Sequence, residues 1–318
     1  MTDPNEVGAG LSGGAFVDPE ARTAAGTDSA PRSLWSDAWH DLRRSPVFLV
    51  SVAVILFVLV MAAFPQLFTS VDPNYGDLAR SRQPPSAHAW FGYDNQGYDI
   101  YARVIHGARA SIIVGVLATA GTVLIGGTLG MLAAFYGGWL DAVCSRIGDV
   151  FIGLPFVLGA IVILTTFNVP GAAQNPVRII TQVVASIAVL SWPVAMRIMR
   201  SAVLAARDQD YIRAARALGA SSRRIILRHL LPNCLAPVLV YATIALGAFI
   251  GAEATLSFLG IGLRSPVVSW GVMISDARNY VRVAPYMLLF PAGFLTATVL
   301  AFVMLGDAIR EALDPKLR

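Results

Sequence analysis

RDQDYIRAARALGASSRRIILRHLLP, residues 207–232, is a polar island late in a chain that is otherwise apolar, and its reading decides the fold. The spacing predicts two short helices meeting at a tight corner. Asp208 or Asp210 is placed to cap the first, which aligns Tyr211, Ala214, Ala215 and Leu218 at i, i+3, i+4 and i+7 on one face. Gly219 suits the left-handed residue that ends a helix. Ser221 or Ser222 can cap the second helix, which carries Ile226 and Leu230 four apart, and Pro232 closes the corner. Arg213, Arg216, Arg223, Arg224 and Arg228 crowd the other faces. Small residues at Ala214, Ala215 and Gly219 let a partner's surface approach the backbone, where a helix resting on lipid would carry large side chains. The alternative is a solvated basic loop between membrane spans.

Around the island, the 318 residues are 56% hydrophobic and 14% charged, with a mean hydropathy of +0.63. A soluble domain carries about 25% charged residues. Apolar runs of about 20 residues point instead to a polytopic, all-α membrane helix bundle. Six transmembrane helices are expected, at 46–68, 111–136, 150–167, 179–199, 235–256 and 284–305. The fourth should kink at Trp192-Pro193. Residues 1–32, rich in Gly, Ala, Ser, Asp and Pro, read as a disordered tail, and 308–318 as a second tail. In 33–45 a Ser33-capped helix would place Leu34, Trp35, Ala38, Trp39 and Leu42 on one side, an elbow lying on the inner leaflet.

Arginine distribution sets the expected orientation. Arg197, Arg200, Arg207 and the five island arginines gather at one loop, which the positive-inside rule places in the cytoplasm together with both termini. The segment 69–108 then lies outside, although it holds Arg80, Arg82 and Arg103, with Arg109 just beyond. Net charge is +4, but no basic stripe carries interleaved aromatics, so nucleic acid is not an expected partner.

Several chemistries are excluded or weakened. Lys316 is the only lysine, and no Gly-rich turn runs into Lys-Ser/Thr, so the chain has no phosphate-binding P-loop and any nucleotide hydrolysis must belong to another polypeptide. Cys144 and Cys234 fall near expected cytoplasmic span ends, where a structural disulfide is not expected. The four histidines are scattered without metal spacing. No Ser/His/Asp or Cys/His set lies at one depth, which ranks an intramembrane enzyme last. Gly126 and Gly130 have the small-xxx-small spacing of close helix packing in lipid. Glu253 is the most conspicuous intramembrane acid, a candidate gating or pathway residue or else a structural cap near a helix end. Asp149 is weighed as a second candidate of that kind, against a local pair with Arg146.

At the island the chain resembles the membrane-spanning subunits of bacterial ABC importers. Their signature runs Glu-Ala-Ala, three residues, Gly, nine residues, Ile-x-Leu-Pro. Ala214, Ala215, Gly219, Leu231 and Pro232 match it, while Arg213 stands where Glu is usual and His229 where Ile is usual. The likeness narrows to the C-type permeases of dipeptide/oligopeptide and nickel import systems. Its carriers are HAWFGYDNQGYDIYARVIHGARASIIVG, FYGGWLDAVCSRIGDVFIGLP and GAEATLSFLGIGLRSPVVSWGVMIS, from about residue 80 onward.

The resemblance implies the type I ABC importer permease fold, with a transmembrane core at 109–307. It implies a heterodimer with a homologous B-type permease, two ABC ATPase subunits inside and an extracytoplasmic substrate-binding protein outside. Tyr211, Arg213, Ala214, Ala215, Leu218, Gly219, Ala220, Leu231 and Pro232 become the ATPase-coupling residues. The chain itself would bind no cofactor, with ATP and magnesium held by the ATPases. Peptide is the expected substrate, with nickel or another small solute as the alternative. A stand-alone secondary transporter would need charges and broken helices at the midplane of two related halves, and the sequence has no evident inverted repeat.

Overall fold

The structure, a computed structural model, describes residues 42–167 and 175–313. The expected tail at 1–32, the tryptophans of the 33–45 elbow and residues 314–318 lie outside these. The described residues form α1 (Pro46–Ala63), α2 (Ile100–Tyr136), α3 (Gly138–Gly153), α4 (Phe156–Phe167), α5 (Pro176–Ala206), α6 (Asp210–Ala217), α7 (Ser222–Phe258), α8 (Trp270–Ala277) and α9 (Tyr286–Leu313). Among them, β pairing is confined to two isolated bridges, Gly76 with Tyr98 and Tyr93 with Asp99. Helices α1, α2, α5, α7 and α9 are each long and apolar enough to cross a membrane. The pair α3–α4, bent by 95°, makes six if it counts as one span.

Helix starts follow local chemistry. Ser45 accepts from the Phe48 N–H at 3.4 Å, and Pro46 occupies the first turn of α1. Asp99 accepts from the Ala102 N–H at 2.9 Å and starts α2 at Ile100, well before the expected 111. With 37 residues, α2 is about 55 Å long, past a hydrocarbon core of about 30 Å. Its extra turns are buried because Ile100, Val104, Ile105 and Ala108 pack with Trp270 and Met273 of α8. The polar Arg103, His106 and Arg109 between them gave that stretch the look of a loop.

The expected turn after α2 and the span at 150–167 are partitioned differently. Only Gly137, at φ +65°, separates α2 from α3. The break comes instead at Leu154-Pro155. A residue before proline is kept out of the helical region, and Leu154 is extended at φ −78°, ψ 127°. Helix α5 runs through Pro193 without interruption.

The second short helix of the island is not a separate element. Ser222–Arg224 lead through a π-helical stretch, Ile225–Leu230, straight into the long apolar helix, so Pro232 lies within α7 and closes no corner. Pro232 has no N–H to donate and crowds the preceding turn, and the widened turn sits directly before it.

Helices α2 and α5 form the central pair. Gly126 and Gly130 of α2 face the α5 backbone, where an added Cβ would collide with the Trp192 and Met196 carbonyl oxygens respectively. Close backbone approach of this kind is how helices associate in lipid. Helix α7 packs across α2, with Gly115 against Ile250, and α9 flanks α7 and α1. Large apolar side chains such as Leu49, Leu56, Leu158 and Val162 remain exposed, as a membrane-embedded surface requires.

Candidate functional site

The polar island folds into a knuckle at the end of the bundle where α2 and α5 finish and α7 begins. Neither expected aspartate caps α6: its N-cap is Gln209, with no side-chain cap bond, and Asp210 sits in the first turn, where the helix dipole favours a negative charge. The C-terminus is as the sequence suggests. Gly219 takes φ +78°, its N–H bonds the Arg216 carbonyl at 3.0 Å, and the Ala220 N–H bonds the Ala215 carbonyl at 3.0 Å. Those two bonds constitute a Schellman stop. Ser221 then accepts from the Arg224 N–H at 3.4 Å and starts α7, so both sides of the turn are fixed by hydrogen bonds.

One face of α6 is fastened to the bundle and the other is free. Ile212 and Ala215 are buried, with Ile212 packed in a cluster containing Met131, Val203, Ile225 and Leu230. Leu218 is 88% exposed and Tyr211 42%, and Ala214 and Arg213 are also exposed. The face expected to hold Tyr211, Ala214, Ala215 and Leu218 together is therefore divided, with Ala215 turned inward. Ala220 is partly buried in the same cluster, while Leu231 and Pro232 lie further along α7, away from the tip.

Arginines tie the knuckle to α2 and α5 to α3. Arg207 Nη1 donates to the Ala134 carbonyl in the last turns of α2 at 2.8 Å, and the Arg216 guanidinium lies 6.0 Å from the Phe135 ring centre. Arg200 makes a two-pronged bond to Asp141 at 2.5 and 2.7 Å, and Arg197 bonds Asp149 at 2.6 Å, joining α5 to α3. Asp149 also has its expected neighbour Arg146, at 3.8 Å. The cross-helix partner was not foreseen; Arg197 and Arg200, three apart on one helix face, were its signal.

Glu253 stands far from the knuckle, near the other end of α7. It is fully buried and accepts from three hydroxyls, Ser111 at 3.1 Å, Ser257 at 2.7 Å and Ser269 at 3.0 Å. These come from α2, α7 and the cap of α8. Asp149 and Glu253 are not brought together. Among the described residues no group of His, Cys, Asp and Glu is placed to hold a metal ion.

The bundle is a type I ABC importer permease fold. A chain of the MetNI methionine ABC transporter, solved in inward-facing conformations, matches with a TM-score of 0.54 at 21% identity, covering 67% of this chain and 96% of that one. Residues 126–318 match the family described as binding-protein-dependent transport system inner membrane component, and residues 33–85 match the N-terminal TM domain of oligopeptide transport permease C. The chain belongs to this family of inner-membrane permeases. It is 38% identical to the dipeptide transport system permease protein DppC of Alkalihalophilus pseudofirmus, over 90% of this chain and 91% of that one. It is 35% identical to the oligopeptide transport system permease protein OppC of Bacillus subtilis, over 95% and 97%. The glutathione transport system permease protein GsiD of Escherichia coli O1:K1 is 37% identical over 90% and 92%.

Proposed function

We propose that this chain is one of two permease subunits of an ATP-driven importer of short peptides. The free face of α6, held on a hydrogen-bonded turn and backed by the spans, carries this reading: it is shaped to be gripped by another protein. The substrate reading draws on the relatives, whose dipeptide, oligopeptide and glutathione cargoes are all peptides. With no P-loop in the chain, the motor is a separate ATPase pair. The cluster of arginines around α6 supports a cytoplasmic knuckle, and six spans would then put both termini on the same side. A homologous permease completes the pathway, and an external binding protein delivers the cargo.

Coupling follows from rigidity. Closure of the ATPases displaces Leu218 and Tyr211. Ile212 and the Arg207 bond to Ala134 then pass the displacement to α2, α5 and α7 as one body. Two states with different contacts at the knuckle suffice to make ATP drive the gate.

The test is reconstitution. A tag on this chain should bring down a homologous permease and two ATPases from membranes, and the complex in proteoliposomes with its binding protein should take up peptide only with ATP. Uptake by this chain alone, driven by an ion gradient, would overturn the reading.

A further inference from the structure

The free side of the knuckle carries a charge that the coupling scheme leaves unused. Between residues 207 and 228 stand six arginines and only two aspartates. Arg207 is committed to Ala134 and Asp208, and Arg216 lies over Phe135. Arg213 reaches Asp210 only at 4.0 Å, with its side chain 69% exposed. Arg223 and Arg224 are exposed and form no ion pair among the described residues. Helical spacing puts Arg213, Ala214 and Ala217 on the side of α6 turned away from buried Ile212 and Ala215, and all three are exposed. Arg213 thus stands on the outward face beside two side chains no bulkier than a methyl group, where a second surface can come close.

These positions do not suit the helices themselves. Arg213 is the fourth residue of α6, and Arg223 and Arg224 lie in the first turn of α7, at the helix ends where the dipole disfavours a cation. Topology asks for basic residues in the loop but not at its helix starts. A membrane surface would also draw arginines, but it calls for a face of large apolar side chains, whereas Leu218 is here flanked by Ala214, Ala217 and Gly219. Solvated cations gathered around a small, approachable face fit a protein surface of opposite charge. We infer that the knuckle docks into an acidic groove, with a carboxylate of the partner ATPase opposite Arg213 and others along Arg223 and Arg224. The inference rests on the importer reading above and adds to it the charge that the motor subunit must present.

The test captures the complex from membranes through a tag on this chain and follows the release of its ATPases as NaCl is raised. The wild-type complex should shed them faster with added salt, because screening weakens surface charge pairs. Arg213→Glu should speed release about tenfold at low salt and flatten the salt dependence. Arg213→Lys, which keeps the charge, should hold the ATPases nearly as well as the wild type. Arg223→Gln together with Arg224→Gln should speed release by a smaller factor. Arg213 is solvated and a carboxylate suits the opening of a helix, so Arg213→Glu should leave the melting temperature of the subunit unchanged. ATPases held as firmly by Arg213→Glu as by the wild type, at low and at high salt, overturn the acidic groove and leave the importer reading standing. So does an Arg213→Glu complex that keeps its ATPases but loses binding to phosphatidylglycerol vesicles, which assigns the arginines to lipid. A wild-type complex that brings down no ATPase overturns the importer reading instead.

Discussion

The Ser111 hydroxyl donates to the Glu253 carboxylate at 3.1 Å, joining α2 to α7 across 142 positions of sequence. The same carboxylate accepts from Ser257 and Ser269, whose oxygens in turn accept the Leu263 and Val272 N–H groups at 2.9 and 3.2 Å. One acid thus organises two helix ends and the loop between them. Glu253→Ala orphans three hydroxyl protons, at about 1–3 kcal/mol for each that finds no other acceptor. Its melting temperature in detergent should fall well below that of the wild type, with Glu253→Gln intermediate. Melting unchanged while uptake is lost would mark Glu253 as a pathway acid rather than an anchor.

Close packing of α2 on α5 predicts a difference between two glycines. Gly130→Ala forces a methyl group onto the Met196 carbonyl and should destabilise by about 1–3 kcal/mol. At Gly293 in α9 an added Cβ meets nothing within 4 Å, so Gly293→Ala should be neutral or slightly stabilising. Thermal melting of the two variants side by side checks this; equal melting points would mean the α2–α5 contact is looser than described.

Asp99 gives a pH prediction. Burial pushes its carboxyl above the ordinary carboxylate range, against the backbone N–H groups of Ala102 and Tyr101, which lower it. A carboxyl raised in the folded state favours folding below its unfolded pKa, near 3.9, and loses that contribution as pH rises through the folded value. Asn caps a helix as well as Asp. Asp99→Asn should therefore melt above the wild type at pH 7, with the gap closing at about pH 4. A gap that widens on acidification would reverse the assignment.

How much of this was legible in the sequence depends on what each feature is made of. Apolar runs and Gly126/Gly130 announced the spans and their closest contact, and Gly219 with Ser221 announced the knuckle turn. Proline was misread at two places. At Pro155 the restriction on Leu154 breaks what looked like one span, and at Pro232 a π turn absorbs what looked like a stop. Contacts between distant residues left weaker traces. Ser111, Ser257 and Ser269 are ordinary hydroxyls until the fold aims them at Glu253. The start of α2 at 100 rather than 111, set by the Asp99 cap, was likewise hidden among polar residues.

The division of the α6 surface yields the sharpest prediction about coupling. Leu218 is 88% exposed, whereas Ala215 is buried on the bundle-facing side of α6. Leu218→Asp should leave the melting temperature and membrane level of the subunit unchanged while removing the ATPases from the purified complex and abolishing ATP-driven uptake. Ala215→Arg should act differently, lowering stability by lifting α6 off Ile225 and Leu230, because it places a charge under the helix without a partner. A fully assembled, transport-competent Leu218→Asp complex would mean that the partner grips elsewhere. Identical behaviour of the two variants would mean that α6 does not sit on the bundle as a stiff lever, and the transmission from Leu218 through Ile212 to α2 would have to be abandoned.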